Sequence, residues 1–155
     1  FTKSLTAHDT DTQSIVEWID SQDFCNGSLG SFGVCLGGHL AFRAALHPRV
    51  QASSCLYATD IHSSTMPAGN GAQTIDRLGD TTGEFLMIWG KQDPHVPPEG
   101  RKLLYDRLTT DNVNFSWHEF NAQHAFIRDE GDRYDPEIAT MCYRLTLDLF
   151  HRALR

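Results

Sequence analysis

Apolar and polar positions change rhythm several times along this chain. Residues 6–12 read Thr-Ala-His-Asp-Thr-Asp-Thr, a polar stretch with the composition of a loop that ends in a helix cap. Ile15, Val16 and Ile19 then recur on one helical face, which predicts an amphipathic helix over residues 12–21. Asn26-Gly27 marks a turn, and residues 29–34 read as a short strand whose small side chains suit close packing. Residues 36–46 form a helical run closed by His47-Pro48, and residues 51–57 are a second strand candidate. Residues 60–83 are rich in Ser, Thr, Gly, Asn and Asp and predict a loop with at most a short helix over 74–78. Glu84 to Trp89 is a nearly unbroken apolar run, the pattern of a parallel strand covered on both faces. Pro97-Pro98-Glu99 opens a helix with Leu103, Leu104 and Leu108 on its apolar side. Alternation at Val113, Phe115 and Trp117 predicts a fourth strand over 113–120. Asp135-Pro136-Glu137 supplies a cap, a first-turn proline and an early acid for a last helix through Ile138, Cys142, Leu145 and Leu149. Strands alternating with helices predict an α/β fold, a mostly parallel sheet flanked by helices in one domain over residues 1–155, with two sheet edges that need cover.

Composition narrows what such a domain can do. The 155 residues fit one domain, and a 40% hydrophobic share with nine Phe, four Tyr and three Trp is enough to build a core. Twenty acidic against 13 basic residues give a formal charge of −7, which argues against a nucleic-acid or anionic-membrane partner. No apolar run approaches the roughly 20 residues of a membrane helix, and no apolar segment of signal-peptide type follows the N-terminus, so the expectation is a soluble, cytoplasmic protein. The chain opens on Phe1 rather than Met, which reads as a processed, trimmed or partial chain. Four cysteines, Cys25, Cys35, Cys55 and Cys142, lack any C-x-x-C spacing, so reduced thiols are expected and neither a metal site nor a cofactor is implied. Cys55 and Cys142 sit among apolar residues and read as buried hydrophobes.

Cys35 stands apart from them. Gly33-Val34-Cys35-Leu36-Gly37-Gly38 lies directly after a predicted strand and before a predicted helix, the G-x-nucleophile-x-G pattern of a nucleophile elbow. A sharp turn at the nucleophile would drive bulky side chains two positions to either side into collision, which explains the flanking glycines. The helix that follows aims its first N–H groups at the turn and favours negative charge there. The Leu36 N–H is then the natural oxyanion donor.

A thiol nucleophile needs a base, and the base an orienting acid. Asp93, in Gly90-Lys91-Gln92-Asp93-Pro94-His95, follows the buried strand and lies where sites of open α/β sheets lie. His124, in Gln123-His124-Ala125-Phe126, follows the last strand. Asp93 also reads as a turn former or helix cap. His95 and His118 compete with His124 but are placed less well, one too near Asp93 and the other within a strand. His8, His39, His47, His62 and His151 have no motif context and read as surface residues.

Taken together, Gly33 to Gly38, Gly90-Lys91-Gln92-Asp93 with Val96-Pro97, and His124-Ala125-Phe126 resemble the dienelactone hydrolase family. Arg128 and the run Tyr134-Asp135-Pro136 extend the likeness, which spans residues 11–154. The resemblance implies an α/β-hydrolase fold with a Cys-His-Asp triad of Cys35, His124 and Asp93, and Leu36 as oxyanion donor. It further implies Arg128 as a contact for a substrate carboxylate, although Ala125 stands where the family has a serine that shares this task. The implied reaction is cleavage of an ester or lactone through a covalent acyl-enzyme. The likeness is to the C-terminal portion of the family, without the strands that carry a second oxyanion donor. Weak or no turnover by these 155 residues is therefore expected, as is pairing of the open strand at residues 29–34 in a homodimer or exchanged assembly. Two other classes fit the same residues: a non-catalytic binding or assembly module that keeps the elbow as a structural turn, and a thiol redox sensor built on Cys35.

Overall fold

The computed structural model of the protein describes residues 2–155. Helix α1 (Leu5–Asp20) precedes strand β1 (Leu29–Val34), helix α2 (Leu36–Ala44) and strand β2 (Val50–Leu56). A 3-10 turn at Thr74–Asp80 interrupts the long loop, followed by β3 (Glu84–Gly90), α3 (Pro98–Thr110), β4 (Asn114–Phe120) and α4 (Pro136–Ala153). The four strands form one parallel sheet in the order β1-β2-β3-β4. Among the described residues, no helix is long and apolar enough to cross a membrane.

The alternation along each strand distributes side chains to two cores. Cys55 of β2 and Phe85, Met87 and Trp89 of β3 face one layer, where Phe42 of α2 and Leu104 and Leu108 of α3 pack. Phe42 stacks on Phe85 at a centroid distance of 4.4 Å. Leu56, Leu86 and Ile88 face the other layer and meet Ala139, Cys142 and Leu149 of α4. Every residue of β3 from Phe85 to Gly90 is buried, as its unbroken apolar run requires.

The first helix differs from the expected one. It begins at Leu5, where residues 6–12 read as a loop. Ser4 caps it by accepting from the Ala7 N–H at 3.3 Å, and the hydroxyls of Thr10 and Thr12 donate back to carbonyls one turn earlier. The decisive contacts are tertiary. Leu5 is fully buried, and the Asp9 carboxylate takes a bidentate pair of hydrogen bonds from the buried Arg43 at 2.7 and 2.8 Å.

Candidate active site

At the end of β1 the chain reverses into α2 through Cys35, whose φ of 56° and ψ of −126° lie outside the regions open to ordinary residues. The strained residue is held on both sides by hydrogen bonds. Its N–H donates to the Leu56 carbonyl at 3.0 Å, and its own carbonyl accepts from the Thr59 N–H at 3.2 Å. The glycines around it are not equivalent. A Cβ on Gly33 would fall 1.9 Å from the Gly37 carbonyl oxygen, and one on Gly38 would fall 2.8 Å from the Leu56 carbonyl oxygen. A Cβ on Gly37 would meet nothing within 4 Å. The steric demand of the turn therefore falls on Gly33 and Gly38, and the expectation that both flanking positions need glycine is corrected at Gly37. Leu36 opens α2, so its N–H is among the first-turn amides that have no partner within the helix.

Asp93 and His124 come from the loops after β3 and β4, and the two loops are stitched together. The Lys91 N–H donates to the Phe120 carbonyl at 2.8 Å and the Gln92 N–H to the Ala122 carbonyl at 2.9 Å. Gly90 permits this approach, since a Cβ there would lie 2.5 Å from the Ala122 carbonyl oxygen. Arg101 of α3, itself buried, donates to the Val96 carbonyl at 2.7 Å and lies 3.3 Å from the Glu119 carboxylate, tying the Asp93 loop to α3 and β4.

The result is a buried contact of 2.7 Å between His124 Nδ1 and Asp93 Oδ2. Burial alone would raise the Asp93 pKa, but the hydrogen bond from His124 and the 2.8 Å bond from the His95 N–H outweigh it and hold the carboxyl below its ordinary range. An ionised carboxylate only accepts, so the proton of this bond sits on Nδ1 and leaves Nε2 as the basic nitrogen. The His124 ring meets the ring edges of Tyr57 at 4.9 Å and His95 at 4.5 Å. Burial pushes the Tyr57 hydroxyl pKa well up, so it stays neutral beside the imidazole. Ala125, directly after His124, has a φ of 63° and turns the chain away.

A cavity of about 360 Å3 opens over the elbow. Cys35 and Leu36 line it from the turn, Thr59, Asp60, Ser63 and Thr65 from the loop after β2, and His95 from the loop after β3. Thr59 Oγ1 lies 4.0 Å from the Cys35 sulfur. The expected residues Cys35, Asp93 and His124 thus sit at one end of the sheet, after β1, β3 and β4. Arg128 lies elsewhere. It is exposed, within 3.9 Å of the Glu130 carboxylate, and lines a neighbouring cavity with Gln123, Ala125 and Arg133. His118 is on β4, against Phe120.

Sequence reasoning passed over Arg101 and Asp60, and it quoted Gly90 in a motif without giving it a structural role. Gly90 ends an apolar strand directly before the Asp93 loop, which is the one signal that could have marked it. His39 corrects another expectation. Read as a surface residue, it is buried on the inner side of α2 with Nε2 bound to the Thr74 hydroxyl at 2.7 Å, and burial lowers its pKa to about 4. Cys55 and Cys142 are fully buried.

The family model described as "Dienelactone hydrolase family" matches residues 1–154. The chain belongs to the dienelactone hydrolase family. It is 39% identical over 160 residues to a candidate carboxymethylenebutenolidase of Saccharomyces cerevisiae, covering 99% of this chain and 59% of that protein. It is 28% identical to the carboxymethylenebutenolidase of Pseudomonas sp. strain P51, covering 92% of this chain and 55% of that protein. The chain therefore spans a little over half the length of the curated relatives it matches. Among solved structures, a candidate dienelactone hydrolase from Klebsiella pneumoniae superposes with a TM-score of 0.87 at 20% identity, covering 97% of this chain and 62% of the other. At that identity the likeness establishes the α/β-hydrolase fold.

Proposed function

We propose that the protein hydrolyses an ester or lactone, with Cys35 as nucleophile, His124 as proton carrier and Asp93 as the group that orients the imidazole. The buried 2.7 Å Asp93–His124 pair, at the same sheet end as the strained Cys35, carries this reading. The names of the relatives, carboxymethylenebutenolidases, support the bond type. In the first half-reaction the Cys35 thiol gives its proton to His124 Nε2, the thiolate attacks the carbonyl carbon, and the oxyanion that forms is met by the Leu36 N–H at the α2 N-terminus. The tetrahedral intermediate collapses to a thioester on Cys35, and the departing oxygen takes its proton from His124. In the second, His124 takes a proton from water, water attacks the thioester, and the acid leaves with the thiol restored.

Arg128 fits this reaction as a contact for a charged substrate end that extends past Ala125. The small molecule is the partner in this proposal; pairing with a second copy along β1 is expected only of a polypeptide limited to residues 1–155.

The deciding experiment is replacement of Cys35 by Ala in the natural full-length polypeptide. Turnover of 4-nitrophenyl esters is expected to fall to the uncatalysed rate. Turnover that persists in Cys35→Ala would remove Cys35 from the reaction.

A further inference from the structure

The loop after β2 is built around one carboxylate. Asp60, at a φ of 71°, is 6% exposed. Its Oδ1 accepts from the Ser63 hydroxyl at 3.1 Å, from the Thr65 N–H at 2.8 Å and from the Thr65 hydroxyl, and its Oδ2 accepts from the Met66 N–H at 2.9 Å. Burial alone would raise the Asp60 pKa, but these hydrogen bonds overcome it and keep the carboxyl below its ordinary range. The loop is also pinned from outside. His62 packs against Gly100 of α3 so closely that a Cβ there would lie 2.6 Å from the imidazole.

This arrangement sets the polarity of the cavity wall. A hydroxyl has one proton and two lone pairs. Ser63 and Thr65 both give their proton to Asp60, so towards the cavity they offer lone pairs only. Behind them stands a fixed negative charge. A wall of acceptors backed by a carboxylate attracts a hydrogen-bond donor.

From this we infer that the substrate is an ester or lactone bearing a hydroxyl on its acyl portion, held by the Ser63 and Thr65 oxygens while Cys35 attacks its carbonyl. This substrate class rests on the hydrolase reading above. Asp60 acts as a positioning residue, because it fixes where the two hydroxyl protons point.

The test uses the natural full-length polypeptide and a matched pair of esters. 4-Nitrophenyl 3-hydroxybutyrate is compared with the butyrate. The hydroxyl is expected to raise kcat/KM at least fivefold. Ser63→Ala and Thr65→Val are each expected to reduce the hydroxyl preference, mainly through KM, and Thr65→Ser to restore it. A hydroxyl preference that survives in both Ser63→Ala and Thr65→Val overturns the substrate class. Cys35-dependent turnover without any hydroxyl preference overturns it alone and leaves the hydrolase reading standing. Turnover that persists in Cys35→Ala, or no turnover of either ester, defeats the hydrolase reading and the substrate class with it.

Discussion

Individual side chains in this protein act through where burial leaves them. Cys55 and Cys142 are fully enclosed and Cys25 partly so, while Cys35 lines an open cavity at a helix N-terminus. Iodoacetamide at neutral pH is therefore expected to modify Cys35 first, as peptide mass mapping over time will show. Equal rates at Cys25 and Cys35 would count against a tuned nucleophile. Asp93→Asn removes the acceptor that fixes the His124 tautomer and is expected to lower kcat on the order of 10³-fold or more. A loss below tenfold would mean that the pair is structural only. His39 titrates in a window of its own. Its pKa is about 4 in the folded protein against 6.5 unfolded, so the unfolded chain takes up the proton first as pH falls. Its contribution is intact above about 6.5, is lost as pH approaches 4, and is on the order of 3 kcal/mol. Urea unfolding of wild type and His39→Gln at pH 7 and pH 4.5 checks this, with a shallower loss expected in the variant. Asp60 and Asp93 are also depressed. They contribute above their ordinary pKa of 3.8 and lose that contribution only as pH falls through lower values.

At the scale of elements, the elbow separates glycines that look alike in sequence. Gly33→Ala would place its Cβ 1.9 Å from backbone and is expected to unfold or strongly destabilise the chain, by several kcal/mol. Gly37→Ala meets open space within α2 and is expected to leave stability unchanged or to raise it by up to about 1 kcal/mol. Thermal melts of the two variants side by side distinguish these outcomes, and similar losses in both would refute the account. α1 shows why its start escaped the pattern. Thr, Ser and Asp have weak helix propensity, so residues 6–12 resemble a loop until Leu5 finds its core site and Asp9 finds Arg43.

At the scale of the whole molecule, the sheet of the described residues ends at β1, whose Phe32 is 46% exposed. Phe24 and Trp18 are also exposed and stack edge to face. A polypeptide of these 155 residues is expected to self-associate along this strand. Light scattering checks the mass, and Phe32→Lys should shift it towards monomer. A monomer at tens of micromolar in the unsubstituted chain would refute this.

Strand β3, the elbow and the order Cys35, Asp93, His124 were legible in the sequence because each is local. An apolar run, a glycine spacing and a polar residue just past a strand need no partner to be recognised. The sequence by itself determined the α/β class and the residue types available for chemistry. Only the tertiary structure decided that Gly90 lets two loops meet, that Arg101 holds one of them against β4, and that His39 is buried. Those features depend on distances between segments far apart in the chain, and close packing settles such distances where local propensity carries no record of them.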